Sequence, residues 1–355
     1  MVFSFGTSKD APDVLRLLED ESYQGDLRII FTRRDDPIAS YKAENDGSIT
    51  GMIRDNEGRA IATMSAIPRQ MYIGGELKKT AYLSGLKKDL SYKKMINWRD
   101  VFAKMDAAGK YDAYFCCFVG DNDLIIRMLG KKRARLPYTI PVSSFDAFIY
   151  SPHVRIKDPH PELEFIKAEA DDKDAAVKFI NEQGKRHDLF HKLDSVDDVK
   201  GLDKADFYCL KKDGKIVAAG ALWDRKEVKQ YYLKECHGKM KLVRFLNPVL
   251  SLIGYIKIPP DNTRVNFAYI SFLEAENDDP GLITSLLSRI KEEAKSSYDA
   301  LFISAAHSSK KHGALKKIRG IRITHHIVQI VMNGINDVPP ADIDGENMDI
   351  ECALL

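Results

Sequence analysis

Residues Lys79–Phe102 read KTAYLSGLKKDLSYKKMINWRDVF. Lys79–Leu86 is rich in apolar residues and predicts a strand. Asn97–Ala108 predicts a helix, stopped by Gly109. The loop between them carries Ser91-Tyr92-Lys93-Lys94. A helix N-terminus leaves amides unpaired and bears a partial positive charge, so it seats phosphates. Lys93 and Lys94 beside it add charge-assisted contacts. Strand, basic loop and helix in this order predict an electrostatic seat for a pyrophosphate.

Upstream, Asp10–Glu21 predicts a helix with Pro12 near its start, where a missing N–H costs nothing. Leu27–Thr32 predicts a strand. Ile49–Arg54 and Ala60–Ile67 predict a hairpin around Asn56-Glu57-Gly58, with Gln70–Ile73 continuing to the Gly74-Gly75 turn. Downstream, Ala113–Val119 (AYFCCFV) is a continuous apolar run, as in a strand buried on both faces. Leu124–Leu129 predicts another helix.

Ser151–Pro161 carries three prolines in eleven residues and predicts a linker. The pattern then restarts. Glu162–Ala168 predicts a strand and Ala170–Gln183 a helix. Asp206–Lys211 and Lys215–Trp223 predict a hairpin, followed by strand Val265–Leu273, helix Gly281–Ser296 and strand Ala300–Ala305. The repetition is of architecture, with no residue-level repeat in view. The boundaries that follow are a first module over 1–152, a linker over 153–161 and a second module over 162–355. The second module holds an insert over 231–262 and a closing strand near 348–354, where Met348–Leu354 partly alternates apolar with polar.

The length of 355 residues suits two domains. A formal charge of +2, from 54 basic and 52 acidic residues, gives no general field for nucleic acid or an anionic membrane, so any basic site is local. Five scattered cysteines, with no CxxC pair, predict neither a disulfide framework nor a zinc site. The start MVFSFGTSKDAPD lacks the apolar core of a signal peptide, and the longest apolar stretch, Leu246–Ile258, is too short and interrupted to span a bilayer. A cytoplasmic protein with no membrane partner and no metal is expected.

The stretch Tyr82-Leu83-Ser84-Gly85-Leu86-Lys87-Lys88, then Leu90-Ser91-Tyr92-Lys93, resembles the fourth strand and pyrophosphate loop of the GNAT superfamily of acetyl-CoA-dependent N-acyltransferases. The family's basic loop residue falls on Lys93, and its two loop glycines fall on Ile96 and Trp98. Ala113–Val119 followed by Gly120-Asp121-Asn122-Asp123 resembles the family's fifth strand and the turn whose Asn lies near the pantetheine arm, here Asn122. The family's acidic tyrosine falls near Met128 or Leu129, so it is absent. Asp206–Ala218 resembles the family's second hairpin. The second module's corresponding loop, Glu274–Gly281 (EAENDDPG), has four acids and no base and would repel a pyrophosphate.

The resemblance implies an α/β (α+β) fold of two tandem GNAT-like modules, each a mixed, mostly antiparallel twisted sheet flanked by helices. It implies acetyl-CoA as co-substrate in the first module, held by Leu86, Lys87, Lys88, Tyr92, Lys93, Lys94, Met95, Ile96, Asn97, Trp98 and Asn122. The second module is expected to be degenerate. An acceptor amine of a small molecule or peptide would attack the thioester directly, with Asp89 the nearest carboxylate for a base and Tyr82 and Ser84 the nearest hydroxyls. A GNAT-fold binding protein without turnover is the alternative. Aminoacyl transfer from charged tRNA is a further one, against which the near-neutral charge weighs. Cys116-Cys117 and His325-His326 read as packing and strand residues, since adjacent strand residues face opposite ways.

Overall fold

The computed structural model describes residues 1–20, 26–120, 137–169 and 171–355. The first half contains strands β1 (Val2–Phe5), β2 (Leu27–Thr32), β3 (Ile49–Arg54), β4 (Ala60–Ile73), β5 (Glu76–Lys88), β6 (Ala113–Val119) and β7 (Tyr138–Tyr150). Its helices are α1 (Ala11–Glu19), α2 (Pro37–Glu44) and α3 (Trp98–Gly109). The second half contains β8 (Glu164–Ala168), β9 (Asp206–Lys212), β10 (Lys215–Trp223), β11 (Gln230–Cys236), β12 (Thr263–Arg264), β13 (Phe267–Ala275), β14 (Ala300–Ala306) and β15 (Ile321–Val331). Its helices are α4 (Asp171–Gly184), α5 (Lys239–Leu252), α6 (Pro280–Ala294) and α7 (Lys310–Leu315).

Twelve strands form one sheet in the order β1-β3-β4-β5-β6-β15-β7-β14-β13-β10-β9-β8. The sheet crosses from one half to the other by an exchange. β15, from the second half, pairs antiparallel with β6 of the first. β7, from the first half, pairs antiparallel with β14 of the second. β7 and β15 pair with each other at the centre. Each half therefore completes the other's sheet, with residues 153–161 an irregular link between them.

The halves repeat at residue level once their registers are compared. The parallel pairs Thr80–Ala113, Ala81–Tyr114 and Tyr82–Phe115 correspond to Phe267–Ala300, Ala268–Leu301 and Tyr269–Phe302. Ala81-Tyr82-Leu83-Ser84-Gly85-Leu86 then lies over Ala268-Tyr269-Ile270-Ser271-Phe272-Leu273. The hairpin turns Glu57-Gly58-Arg59 and Asp213-Gly214-Lys215 also correspond, each with its glycine at positive φ. This corrects the expectation of an architectural repeat only. The likeness is confined to a few residues per strand, so it emerges from register and not from composition.

Helix α6 shows how local sequence sets the packing. Asp279 caps it, accepting from the Gly281 and Leu282 amides at 2.7 and 2.9 Å, with Pro280 at the first helical position. Ile283, Leu286, Leu287, Ile290 and Ala294 recur at helical spacing and are buried against the sheet with Tyr208, Ala218 and Leu301. Truncating Leu286 to Ala would cost about 2–5 kcal/mol.

Two expectations for the second half are corrected. Met348–Leu354 is not a closing strand: Met348 makes an isolated bridge with Asp188, and Cys352–Leu354 is a 3₁₀ turn. The Ala353 and Leu354 carbonyls accept from buried cations and the Ile350 carbonyl from the Ser304 hydroxyl, in place of a strand partner. The segment 231–262 does not stay with its own module either. It folds into most of β11 and α5 and leads into β12, and β11 pairs with β2 of the first half in a separate three-stranded sheet with β12.

Candidate functional site

Strands β5 and β6 run parallel for three pairs and then part. Beyond Tyr82, β5 continues against β4 and β6 continues against β15. Among the described residues, Leu83–Leu86 has a strand partner on the β4 side alone. The result is a wedge with one free backbone edge, able to pair with an extended ligand.

A bulge sets the angle of that edge. The β4–β5 register slips between Thr63 and Ser65, where Gly85 takes φ +61°. Glycine is needed twice over. The left-handed conformation penalises a Cβ, and a Cβ there would overlap the Tyr41 hydroxyl. Tyr41 is buried, and its hydroxyl has no hydrogen-bond partner among the described residues. Ala81 and Leu83 pack with Val101, Phe102 and Met105 of α3. Tyr82 joins Tyr41 and Ile67, with Leu355 packed against them.

Tyr82 Oη meets Cys117 Sγ at 3.0 Å across the wedge. Burial pushes both groups up, so both stay protonated near neutrality. Ser84 is buried one alternation further along β5.

The loop residues fall at the end of the free edge. Lys88, Lys93, Lys94 and Met95 are exposed, and Lys87 is half-buried. The Lys93 ammonium donates to the Leu90 carbonyl at 3.0 Å, and Lys88 lies 5.9 Å from the Tyr92 ring centroid. Leu86 is exposed, Trp98 half-buried, and Ile96 packs in the core under α3. Asn97 caps α3 with a neutral side chain, accepting from the Asp100 amide at 3.4 Å. Asn122 and Leu124–Leu129 lie outside the described residues.

Asp89 is poorly placed to act as a base. Its carboxylate is buried, bound by the Ser91 hydroxyl and amide, and paired with Arg16 at 3.0 Å and Arg59 at 2.5 Å. The Ser91 bonds and these guanidiniums outweigh burial and hold its carboxyl far below the usual range. A carboxylate so committed accepts a proton weakly. It staples the loop to α1 instead.

Beside the wedge lies a buried charge cluster that the sequence did not reveal. Glu44 Oε1 is 2.6 Å from Arg33 and 3.5 Å from Lys229, and Oε2 contacts Arg69 and lies 4.0 Å from Arg225. All five side chains are 5% exposed or less. Burial opposes the Glu44 charge, but the four cations outweigh it and keep its carboxyl well below the ordinary range. One carboxylate cannot satisfy four cations. Burial drives the Lys229 ammonium well down and the Arg225 guanidinium down to about 10. The surplus is spread over backbone carbonyls. Arg69 donates to Leu354 O at 2.9 Å, Arg225 to Ala353 O at 2.6 Å and Lys229 to Ala353 O at 3.0 Å.

That terminal segment also fills the second wedge. β13 and β14 part after Tyr269–Phe302, and Phe272 takes φ +53° at the matching bulge. The Phe272 amide donates to Glu351 at 2.7 Å, and the Ser271 hydroxyl donates to it at 3.2 Å. Ser304 accepts from the Cys352 amide at 2.9 Å and donates to Ile350 O. At the head of α6, the amides that would face an anion are taken by Asp279. In the second module, residues of the chain itself thus occupy both the parted strand edge and the helix head.

No family model and no curated protein sequence matches the chain. Solved structures do. Saccharomyces cerevisiae N-myristoyltransferase with bound myristoyl-CoA superposes with a TM-score of 0.55 at 14% identity, over 98% of this chain and 89% of that one. A conserved Enterococcus faecalis protein of unknown function gives 0.52 at 8% identity, over 94% and 73%. A GCN5-related N-acetyltransferase from Anabaena variabilis gives 0.50 at 9% identity, over 92% and 72%. With its two parting strand pairs, matching bulges and exchanged final strands, the chain has the GNAT fold twice over, in a tandem arrangement similar to that of N-myristoyltransferase.

Proposed function

We propose that the protein is an N-acyltransferase that binds a CoA thioester in the first wedge and passes the acyl group to an amine. The free β5 edge ending in a lysine-rich loop, set against a second wedge filled by the chain itself, carries this reading. Backbone groups near Leu86 and Lys88 would pair with the pantetheine arm, and Lys93, Lys94 and the Met95–Asn97 amides would meet the pyrophosphate, the Trp98 amide being bonded to Ile96 O at 3.0 Å. The exposed loop and its neutral helix cap fit an anionic group of that kind. The acceptor nitrogen attacks the thioester carbon, a C–N bond forms, the C–S bond breaks, and the amine proton leaves to a base. Tyr82, protonated and facing Cys117, and Ser84 are the hydroxyls this reading assigns to the leaving thiolate. Acetyl-CoA is the first co-substrate to test, and a small molecule or peptide supplies the amine.

Titration calorimetry with acetyl-CoA and myristoyl-CoA, against CoA and ATP, tests this. Micromolar binding selective for CoA ligands is the expected result, and the preferred thioester reports the acyl length. Heat no greater for CoA ligands than for ATP would overturn the assignment.

A further inference from the structure

The near-neutral charge of the whole chain conceals one strongly asymmetric element. α5, Lys239–Leu252, reads KMKLVRFLNPVLSL, with three bases and no acid. Leu242, Phe245, Leu246 and Val249 are 65%, 81%, 47% and 68% exposed, and Ile253 just beyond the helix is 59% exposed. Their spacing is i, i+3, i+4, i+7 and i+11, which places them on one stripe about 100° wide. On an ordinary surface helix that stripe faces the core. Here it faces outward.

The orientation is fixed from beneath. Asn247, on the opposite side, is buried and donates to Ile256 O while accepting from the Ile258 amide, each at 2.8 Å. Gly254, at φ +88°, turns the chain tightly against His153 and Val154. The helix therefore cannot roll its apolar stripe inward without breaking two buried hydrogen bonds. Lys239 and Lys241 flank the stripe on its two sides at helical spacing and are both exposed. A groove of about 380 Å³ opens beside it, lined by Lys241, Arg244, Phe245, Cys236 and Asp261. Arg244 is paired with Asp261 there, which leaves Lys241 as the groove's uncompensated charge among the described residues.

We infer that α5 lies on an anionic phospholipid surface, with Leu242, Phe245, Leu246 and Val249 in the acyl boundary and Lys239 and Lys241 at headgroup phosphates. An outward apolar stripe bordered by lysines, on a helix without acids, is the pattern of an interfacial helix. A protein partner of ordinary composition would not demand exposed lysines on both borders of the stripe, whereas a phosphate-bearing surface does. The helix is shorter than a membrane span, and no helix among the described residues is long and apolar enough to cross a bilayer. The contact is thus peripheral. It revises the expectation of no membrane partner and holds whatever the wedge binds.

The test is cosedimentation of the full chain with vesicles of phosphatidylcholine alone and with added phosphatidylglycerol, at low and high salt. Binding is expected to the anionic vesicles, weakening as salt rises. Phe245→Glu with Val249→Glu should weaken it about tenfold or more, and Lys239→Glu with Lys241→Glu should weaken it with loss of the salt dependence. All four positions are exposed, so circular dichroism should show each variant folded. A folded wild-type protein that stays in the supernatant with anionic vesicles would overturn the inference. So would a dimer in sedimentation velocity that Phe245→Glu dissociates while vesicle binding is absent. That outcome would assign the stripe to a second copy of the chain.

Discussion

Arg69 and Arg225 stand at equivalent positions in the two modules and converge on one carboxylate, Glu44. Each lies two residues beyond the partner of a wedge tyrosine, since Ile67 pairs with Tyr82 and Trp223 with Tyr269. Each also donates to a carbonyl of the terminal segment, Arg69 to Leu354 and Arg225 to Ala353. The pseudo-symmetric repeat thus turns one surface residue type into a buried pair, and the single Glu44 on α2 is shared between them.

Glu44→Gln should therefore be among the most destabilising single changes in the chain. It keeps the shape and removes the carboxylate that pairs with Arg33, Arg69, Arg225 and Lys229. Leaving buried charge uncompensated costs about 3–5 kcal/mol. Denaturant unfolding of wild type and variant measures it. An unchanged midpoint would mean that the carbonyls of Ala353 and Leu354 already carry the balance.

Gly85→Ala probes the wedge bulge. The left-handed conformation costs an alanine about 1–2 kcal/mol, and overlap with the Tyr41 hydroxyl adds to it. Tyr41→Phe removes a buried hydroxyl that has no partner among the described residues, so alone it should be neutral or slightly stabilising. The double variant should recover the overlap component while keeping the backbone cost. Additive effects in a double-mutant cycle would show that the two positions do not touch.

Much of this fold was legible in the chain because strands and helices were marked by period and by turns. The hairpins around Gly58 and Gly214, β6 and α6 all fall within a few residues of their expected limits. What was not legible is long-range. β7 and β15 carry no label that says they pair with each other's modules, and β11 carries none that points to β2. The Glu44 cluster joins residues from four separate stretches of sequence, each of which alone reads as a surface charge. Asp89 is near the wedge in sequence, but Arg16 and Arg59 reach it in space and claim its carboxylate. The signal that was available, Ala-Tyr-Leu/Ile-Ser-x-Leu at 81 and 268, would have located both wedges and through them Arg69 and Arg225.

His191 should make stability fall as the solution is acidified. It is buried, and burial together with Arg69 lowers its pKa well below the usual value. Below about pH 6.5 the unfolded chain takes up a proton at this residue that the folded chain refuses. The unfolded state then binds more protons, so stability rises with pH through this range and is lost below it, by up to about 1.4 kcal/mol per pH unit. His191→Gln should show a shallower dependence than wild type between about pH 6.5 and 5. Parallel curves for the two proteins would show that His191 is protonated in the folded state.

Lys93→Glu with Lys94→Glu tests the proposed pyrophosphate seat directly. Both side chains are exposed, and the Lys93 ammonium donates to the Leu90 carbonyl and not to a carboxylate, so the melting temperature should hold. Charge-assisted contacts to a phosphate lose their attraction and gain repulsion, so affinity for acetyl-CoA should drop about tenfold to a thousandfold. The loss must fall on the diphosphate and not on the arm. Acetyl-pantetheine, which has the thioester but no pyrophosphate, should bind wild type and variant alike through the β5 edge. An equal loss for both ligands would place the lysines at the thioester end of the wedge, and no loss for either would move the nucleotide away from the α3 loop altogether.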